Sequence, residues 1–132
     1  MIEFFVPGIP VAFARTGGGK TANRFTPPKQ RAEMAAIKIF GQAAMKNAPP
    51  IDGAVFLNLR VLYPWPATWS QRKRARLGPW KTSKPDADNH AKLVSDSLNG
   101  VVWVDDARVA QLLVSKMYDE NPGLRITVTP LE

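Results

Sequence analysis

The sequence holds no cysteine, which excludes disulfides and thiolate zinc sites and fits a reducing compartment. It has no run of about eighteen apolar residues, so no transmembrane helix is expected. The first residues, Met1-Ile2-Glu3-Phe4-Phe5-Val6, carry an early acid and lack the basic start and small-residue cleavage site of a secretory signal. A cytoplasmic protein is the expectation. There is no internal repeat and no low-complexity tract. Acidic residues are few: eleven against eighteen Lys and Arg, a formal net charge of +7.

What is present is enough for one domain over residues 1–132, with 45% hydrophobic residues to build a single core. The charge is unevenly spread. Residues 1–84 carry fourteen Lys or Arg against Glu3, Glu33 and Asp52, a balance of +11, whereas residues 85–132 balance at −4. A basic chain with this asymmetry suits a polyanionic partner, nucleic acid first among them.

Ile2–Val6 reads as a strand, and Gly8–Phe13 continues it with prolines at Pro7 and Pro10, giving a broken or edge-like end. Pro27-Pro28 opens a helix to about Asn47, with Met34, Ile37, Phe40, Ala44 and Met45 at core spacing, and Pro49-Pro50 stops it. Val55–Tyr63 is a strand with apolar residues on both faces. A short helix over Trp69–Leu77 is broken by Gly78-Pro79, and Asp88–Leu98 forms a helix ended by Asn99-Gly100. An apolar β-run, Val101–Val104, with Trp103 in the core, leads into Asp105-Asp106. Two last strands, Ala110–Tyr118 and Leu124–Thr129, are expected to join as a hairpin at Asn121-Pro122-Gly123. The order of elements predicts an α+β domain with a mostly antiparallel sheet and helices on one face.

Against the basic background, four of the eleven acids fall in two short clusters, Asp86-Ala87-Asp88 and Asp105-Asp106. Oxygen ligands of this kind suit Mg²⁺ or Mn²⁺, ions used in phosphodiester cleavage. On a helix Asp88, Lys92 and Asp96 share a face. Taken alone, Asp86 is equally a helix cap and Asp88–Lys92 a solvated ion pair. Asn89 either orients a ligand or bonds backbone near the helix start. His90, the only histidine, is expected to face solvent.

Arg72, Lys73, Arg74, Arg76, Lys81 and Lys84 place six positive charges within fourteen residues with no acid among them, a pattern for phosphate contact. Arg15, Lys20 and Arg24 flank or lie on a glycine-rich loop that offers a second DNA contact. That loop ends in Gly19-Lys20-Thr21 but lacks the leading glycine of a nucleotide-phosphate cradle, so no nucleotide cofactor is expected. Trp69 and Trp80 flank the basic segment, placed either to wedge against a nucleic acid or to pack an interface.

The pattern Lys84-Pro85-Asp86-x-Asp88-Asn89-x-x-Lys92-x-x-x-Asp96-x-Leu98, followed by Trp103-x-Asp105-Asp106-x-x-Val109, resembles the core motif of the RusA family of Holliday junction resolvases. Gly8-Ile9-Pro10-Val11 with Arg15, and Arg24-Phe25-Thr26-Pro27, are similar to the N-terminal segment of phage-borne members. The resemblance implies a RusA-like fold and a homodimeric, Mg²⁺-dependent endonuclease that cuts four-way DNA junctions by paired nicks. It places the metal-binding catalytic aspartates on Asp86, Asp88 and Asp106 and the catalytic lysine on Lys92, with Asp105 and Asp96 in support. The sequence departs from the family at His90, where leucine is usual, and in a shorter loop between Leu98 and Trp103. Two rival readings remain: a non-catalytic basic DNA-binding module, and a metal-dependent nuclease for flaps or other branched substrates.

Overall fold

A computed structural model describes residues 1–14 and 27–132. Its elements are β1 (Ile2–Pro7), α1 (Pro28–Met45), β2 (Val55–Tyr63), α2 (Gln71–Leu77), α3 (Ala87–Ser97), a 3₁₀ turn (Asp106–Arg108), β3 (Val109–Tyr118) and β4 (Gly123–Pro130). The four strands form one sheet in the order β1-β4-β2-β3. Two pairings, β1–β4 and β4–β2, are antiparallel, and β2–β3 is parallel. The architecture is the expected α+β, mostly antiparallel.

The expected terminal hairpin does not form. β3 and β4 are separated by β2, which pairs with both. The reason lies in β2 itself: Val55, Leu57, Leu59 and Val61 are fully buried on alternate positions, so the most apolar strand takes the centre of the sheet. The turn after β3 steps over the end of β2, with the Asp119 amide donating to the Tyr63 carbonyl at 2.8 Å. Asn121 N–H then bonds the Asp119 carboxylate at 2.8 Å.

One face of the sheet carries the core. Phe4 and Val6 of β1, the alternate residues of β2, and Leu124, Ile126 and Val128 of β4 pack with Ile37 and Met45 of α1 and Leu93, Val94 and Leu98 from α3 and its end. Phe40, expected inside, is exposed, because α1 turns the Ile37, Gly41 and Met45 stripe inward instead. The two helices approach so closely at Gly41 that a Cβ there would stand 2.7 Å from Leu98 Cδ2. Trp103 is buried as expected, its indole N–H bonded to Asn99 Oδ1 at 3.0 Å. Val101–Val104, however, is a turn held by isolated bridges rather than a strand of the sheet.

β1 is an edge strand that stops at Pro7, and Gly8 turns the chain away at φ +116°. The prolines deprive the next segment of ladder donors, and side chains replace them. Val11 N–H bonds Glu33 Oε2 at 2.8 Å, and Ala14 N–H bonds Gln30 Oε1 at 2.9 Å. Among the described residues no helix is long and apolar enough to cross a membrane.

Gly41→Ala is therefore expected to overpack the α1–α3 contact and lower unfolding stability by about 1–3 kcal/mol in denaturant titration; an unchanged midpoint would mean that the helices are free to separate.

Candidate active site

Parallel strands need a long crossover, and residues 64–108 supply it between β2 and β3. α2, α3 and both acidic clusters lie on this excursion. Pro79–Lys81 runs back along β3, with Tyr118 N–H to Pro79 O at 2.7 Å, Lys81 N–H to Lys116 O at 3.0 Å, and a bridge from Trp80 to Met117. The chain then passes Lys84 and Pro85 into α3.

Asp86 stands at the N-cap of α3 in extended conformation, yet its side chain makes no capping hydrogen bond. The carboxylate is exposed, so the cap reading of Asp86 does not apply. Asp88 lies exposed in the first turn. Further along the helix, Lys92 Nζ pairs with Asp96 Oδ2 at 3.3 Å and sits 4.9 Å over the Phe13 ring. Phe13 is held there by its backbone N–H, which donates a hydrogen bond to the Asn89 carbonyl at 3.2 Å.

The second cluster is set by its own turn. Asp105 Oδ1 accepts from Ala107 N–H at 3.0 Å. Arg108 ties the turn down through its guanidinium to the Asp52 carboxylate at 2.9 Å and the Asp52 carbonyl at 2.8 Å. The backbone bond to Ala107 and the hydrogen bond from Asp106 hold the Asp105 carboxyl below its ordinary range. Asp106 is pushed the other way, first by its hydrogen bond with Asp105, then by loss of solvent and by the negative charges of Asp105 and Asp96, with Lys92 opposing.

The fold thus brings Lys92, Asp96, Asp105 and Asp106 within electrostatic reach, with Asp86 and Asp88 at the start of the same helix. Among the described residues no three acidic side chains are gathered tightly enough to enclose an ion as they stand. The donors nonetheless fit a hard divalent cation. All are carboxylate oxygens, Asp86 is uncommitted to the helix cap, and the neighbouring carboxylates that raise the Asp106 pKa leave room for an added positive charge.

The basic residues divide into two groups. Arg72, Arg76 and Lys84 are exposed. Lys73, Arg74 and Lys81 are half-buried against aromatic rings: Lys73 over Trp69 at 5.1 Å, Arg74 over Trp65 at 5.2 Å, Lys81 over Tyr63 at 4.7 Å. Arg74 also pairs with Glu120 at 3.5 Å. Trp65, Trp69 and Tyr118 form one aromatic cluster that seats α2, while Trp80 is 60% exposed. Arg15, Lys20 and Arg24 lie outside the described residues.

His90 corrects the expectation of a solvent-facing ring: it is 1% exposed and bonds the Tyr63 hydroxyl through Nε2 at 2.8 Å. It falls on the stripe His90, Leu93, Val94, Ser97 that α3 turns inward. That stripe is visible in the sequence; the partner hydroxyl from β2 is not. Burial, then the charges of Lys116 and Lys81, lower the His90 pKa to about 4. Burial, then the charge of Glu33, pushes Tyr63 up to about 12. The pair is neutral on both sides at ordinary pH.

A family model described as endodeoxyribonuclease RusA matches residues 7–129. The chain is 34% identical over 142 aligned positions to the uncharacterized protein YqaN of Bacillus subtilis (strain 168), covering 96% of this chain and 94% of that one. It is 31% identical over 88 positions to the crossover junction endodeoxyribonuclease RusA of Lactococcus phage r1t, covering 64% of each chain.

Because His90 is lowered from its ordinary value of 6.5 to about 4, the unfolded chain takes up a proton between those values that the folded chain refuses. Stability is expected to fall as pH drops from about 6.5 towards 4, and His90→Gln to flatten that part of the curve of melting temperature against pH. Parallel curves for the two proteins would show that His90 titrates normally.

Proposed function

The chain belongs to the RusA family of endodeoxyribonucleases, and from that premise we propose that it is a metal-dependent endonuclease resolving four-way DNA junctions by paired nicks, in recombination and repair. The observation that carries this reading is the grouping of exposed carboxylates with Lys92 on the β2–β3 crossover of a strongly basic chain. Carboxylates repel phosphate, so a protein meant only to bind DNA gains nothing by placing them beside its cations. With Mg²⁺ or Mn²⁺ the same carboxylates become attractive.

In this reading Asp86, Asp88 and Asp106 hold the metal, which when bound polarises the scissile phosphate and lowers the pKa of water. Asp105, fixed by the Ala107 N–H, stands beside Asp106 as a supporting carboxylate. Lys92, set by Asp96 and the Phe13 ring, supplies positive charge for the phosphate oxygens as negative charge builds on them. Arg72, Arg76 and Lys84 present outward charge to the DNA backbone leading to that point, while Lys73, Arg74 and Lys81 contribute both to seating α2 and to the field. Arg15, Lys20 and Arg24 add a further contact from the glycine-rich segment.

Paired nicks across a two-fold junction call for two active sites, and a symmetric homodimer provides them. β3 supports this arrangement. It is an edge strand whose segment 109–115 carries no charged residue, with Leu112 49% and Leu113 50% exposed, whereas its far end is covered by Pro79–Lys81. An uncharged edge that no strand among the described residues pairs with invites antiparallel pairing with a second copy.

The test of the activity is cleavage of labelled four-way junction, duplex and flap DNA with Mg²⁺ or EDTA. Symmetric nicks in the junction alone, dependent on Mg²⁺, are expected, and Asp86→Asn should lower the rate by about a hundredfold or more while junction binding persists. An uncleaved junction bound equally by Asp86→Asn would identify a binding module, and faster cutting of flaps would reassign the substrate. For the dimer, sedimentation should show a two-chain species at micromolar concentration that Leu113→Lys converts to single chains; a monomeric parent protein would overturn it.

A further inference from the structure

Lys116 lies on β3 beside Val61, the buried centre of the sheet, where the alternation of the strand calls for an apolar side chain. Its ammonium instead reaches sideways out of the sheet. It donates to the Ser83 carbonyl at 2.7 Å and to the Pro85 carbonyl at 2.7 Å, the two carbonyls that bracket Lys84. The Lys116 main-chain carbonyl accepts from Lys81 N–H at 3.0 Å, and Lys81 Nζ bonds Ser83 Oγ at 2.7 Å. One residue of β3 therefore grips the incoming loop by backbone and side chain together.

The second of those carbonyls matters most. The Pro85 oxygen belongs to the peptide unit that contains the nitrogen and Cα of Asp86, and that unit is planar. Fixing the oxygen fixes the position from which the Asp86 side chain projects. From the other side, one turn into α3, His90 is pinned to Tyr63. Asp86 makes no capping bond of its own, so its placement depends on these two anchors.

We propose that Lys116 is a positioning residue that sets Asp86 for cation binding. The proposal rests on the metal-site reading above. It assigns Lys116 a role distinct from the phosphate-facing lysines, because its charge-assisted hydrogen bonds are given to main-chain carbonyls. An ammonium suits this role because it has three donors and no acceptor, so it can hold two carbonyls from one point. Supporting bonds of this kind change metal affinity by about ten- to a hundredfold when removed.

The absence of cysteine from the chain allows a direct test. Lys116→Cys, alkylated in denaturant with 2-bromoethylamine and refolded, regains an ammonium on an arm of lysine length. The thiolate displaces bromide and forms a thioether at this residue alone. Three readouts are needed on parent, untreated and alkylated proteins: Mn²⁺ binding by electron paramagnetic resonance, junction affinity in EDTA, and the Mg²⁺ concentration for half-maximal cleavage. Untreated Lys116→Cys is expected to bind Mn²⁺ about tenfold more weakly and to need correspondingly more Mg²⁺, with junction affinity within about twofold of the parent. Alkylation should restore metal affinity. Parent-like Mn²⁺ binding by the untreated variant overturns the proposal, as does a folded, alkylated protein that stays deficient. If the parent protein itself binds no Mn²⁺, the metal-site reading falls and takes this role with it; if the parent binds and the variant matches it, only the role of Lys116 is lost.

Discussion

The parallel pairing of β2 with β3 governs the rest of the molecule, because it forbids a short connection and sends the chain on a forty-five-residue excursion from one end of the sheet to the other, between Tyr63 and Val109. That excursion carries the cationic helix α2, the carboxylates at the start of α3, Lys92, and the Asp105-Asp106 turn. The pairing itself follows from burial: β2 is the strand that can bury one whole side, so it takes the centre and β3 is left on the edge. A terminal hairpin would have put β3 beside β4 and left β2 with an uncovered edge.

Charge is organised by the same scaffold. The aromatic cluster of Trp65, Trp69 and Tyr118, formed where β2 and β3 end, seats α2 and absorbs part of its positive charge through ring contacts. Arg72 and Arg76 remain in solvent on the exposed side of that helix. The two adjacent carboxyls are shifted in opposite directions: a backbone donor lowers the Asp105 pKa, and its neighbours raise that of Asp106. Two adjacent carboxylates of this kind favour a nearby cation. A site of this kind, beside a basic surface, matches the chemistry of a polyanionic substrate.

Much of this was legible from local pattern. α1, β2 and α3 follow from proline boundaries and apolar periodicity, and the two acidic clusters stand out because the chain is otherwise basic. The motif from Lys84 to Val109 falls wholly on the crossover and the first residue of β3. What local pattern missed are features decided by partners distant in sequence. Asn121-Pro122-Gly123 has the composition of a hairpin turn, yet the strands it joins are kept apart by β2, and turn chemistry carries no information about which strand intervenes. His90 appeared polar and exposed because its hydroxyl partner lies twenty-seven residues earlier on β2. Lys116 reads as one more surface cation, and only the fold shows its ammonium among main-chain carbonyls.

The oxygen-donor cation site proposed on the crossover comprises Asp86, Asp88 and Asp106. Anomalous diffraction from crystals of the protein grown with Mn²⁺ tests it most directly. An anomalous peak within bonding distance of all three carboxylates, about 2.0–2.2 Å for a small hard cation, is expected, together with its loss in Asp86→Asn. Mn²⁺ found elsewhere on the protein, or a peak that persists unchanged in Asp86→Asn, would contradict it.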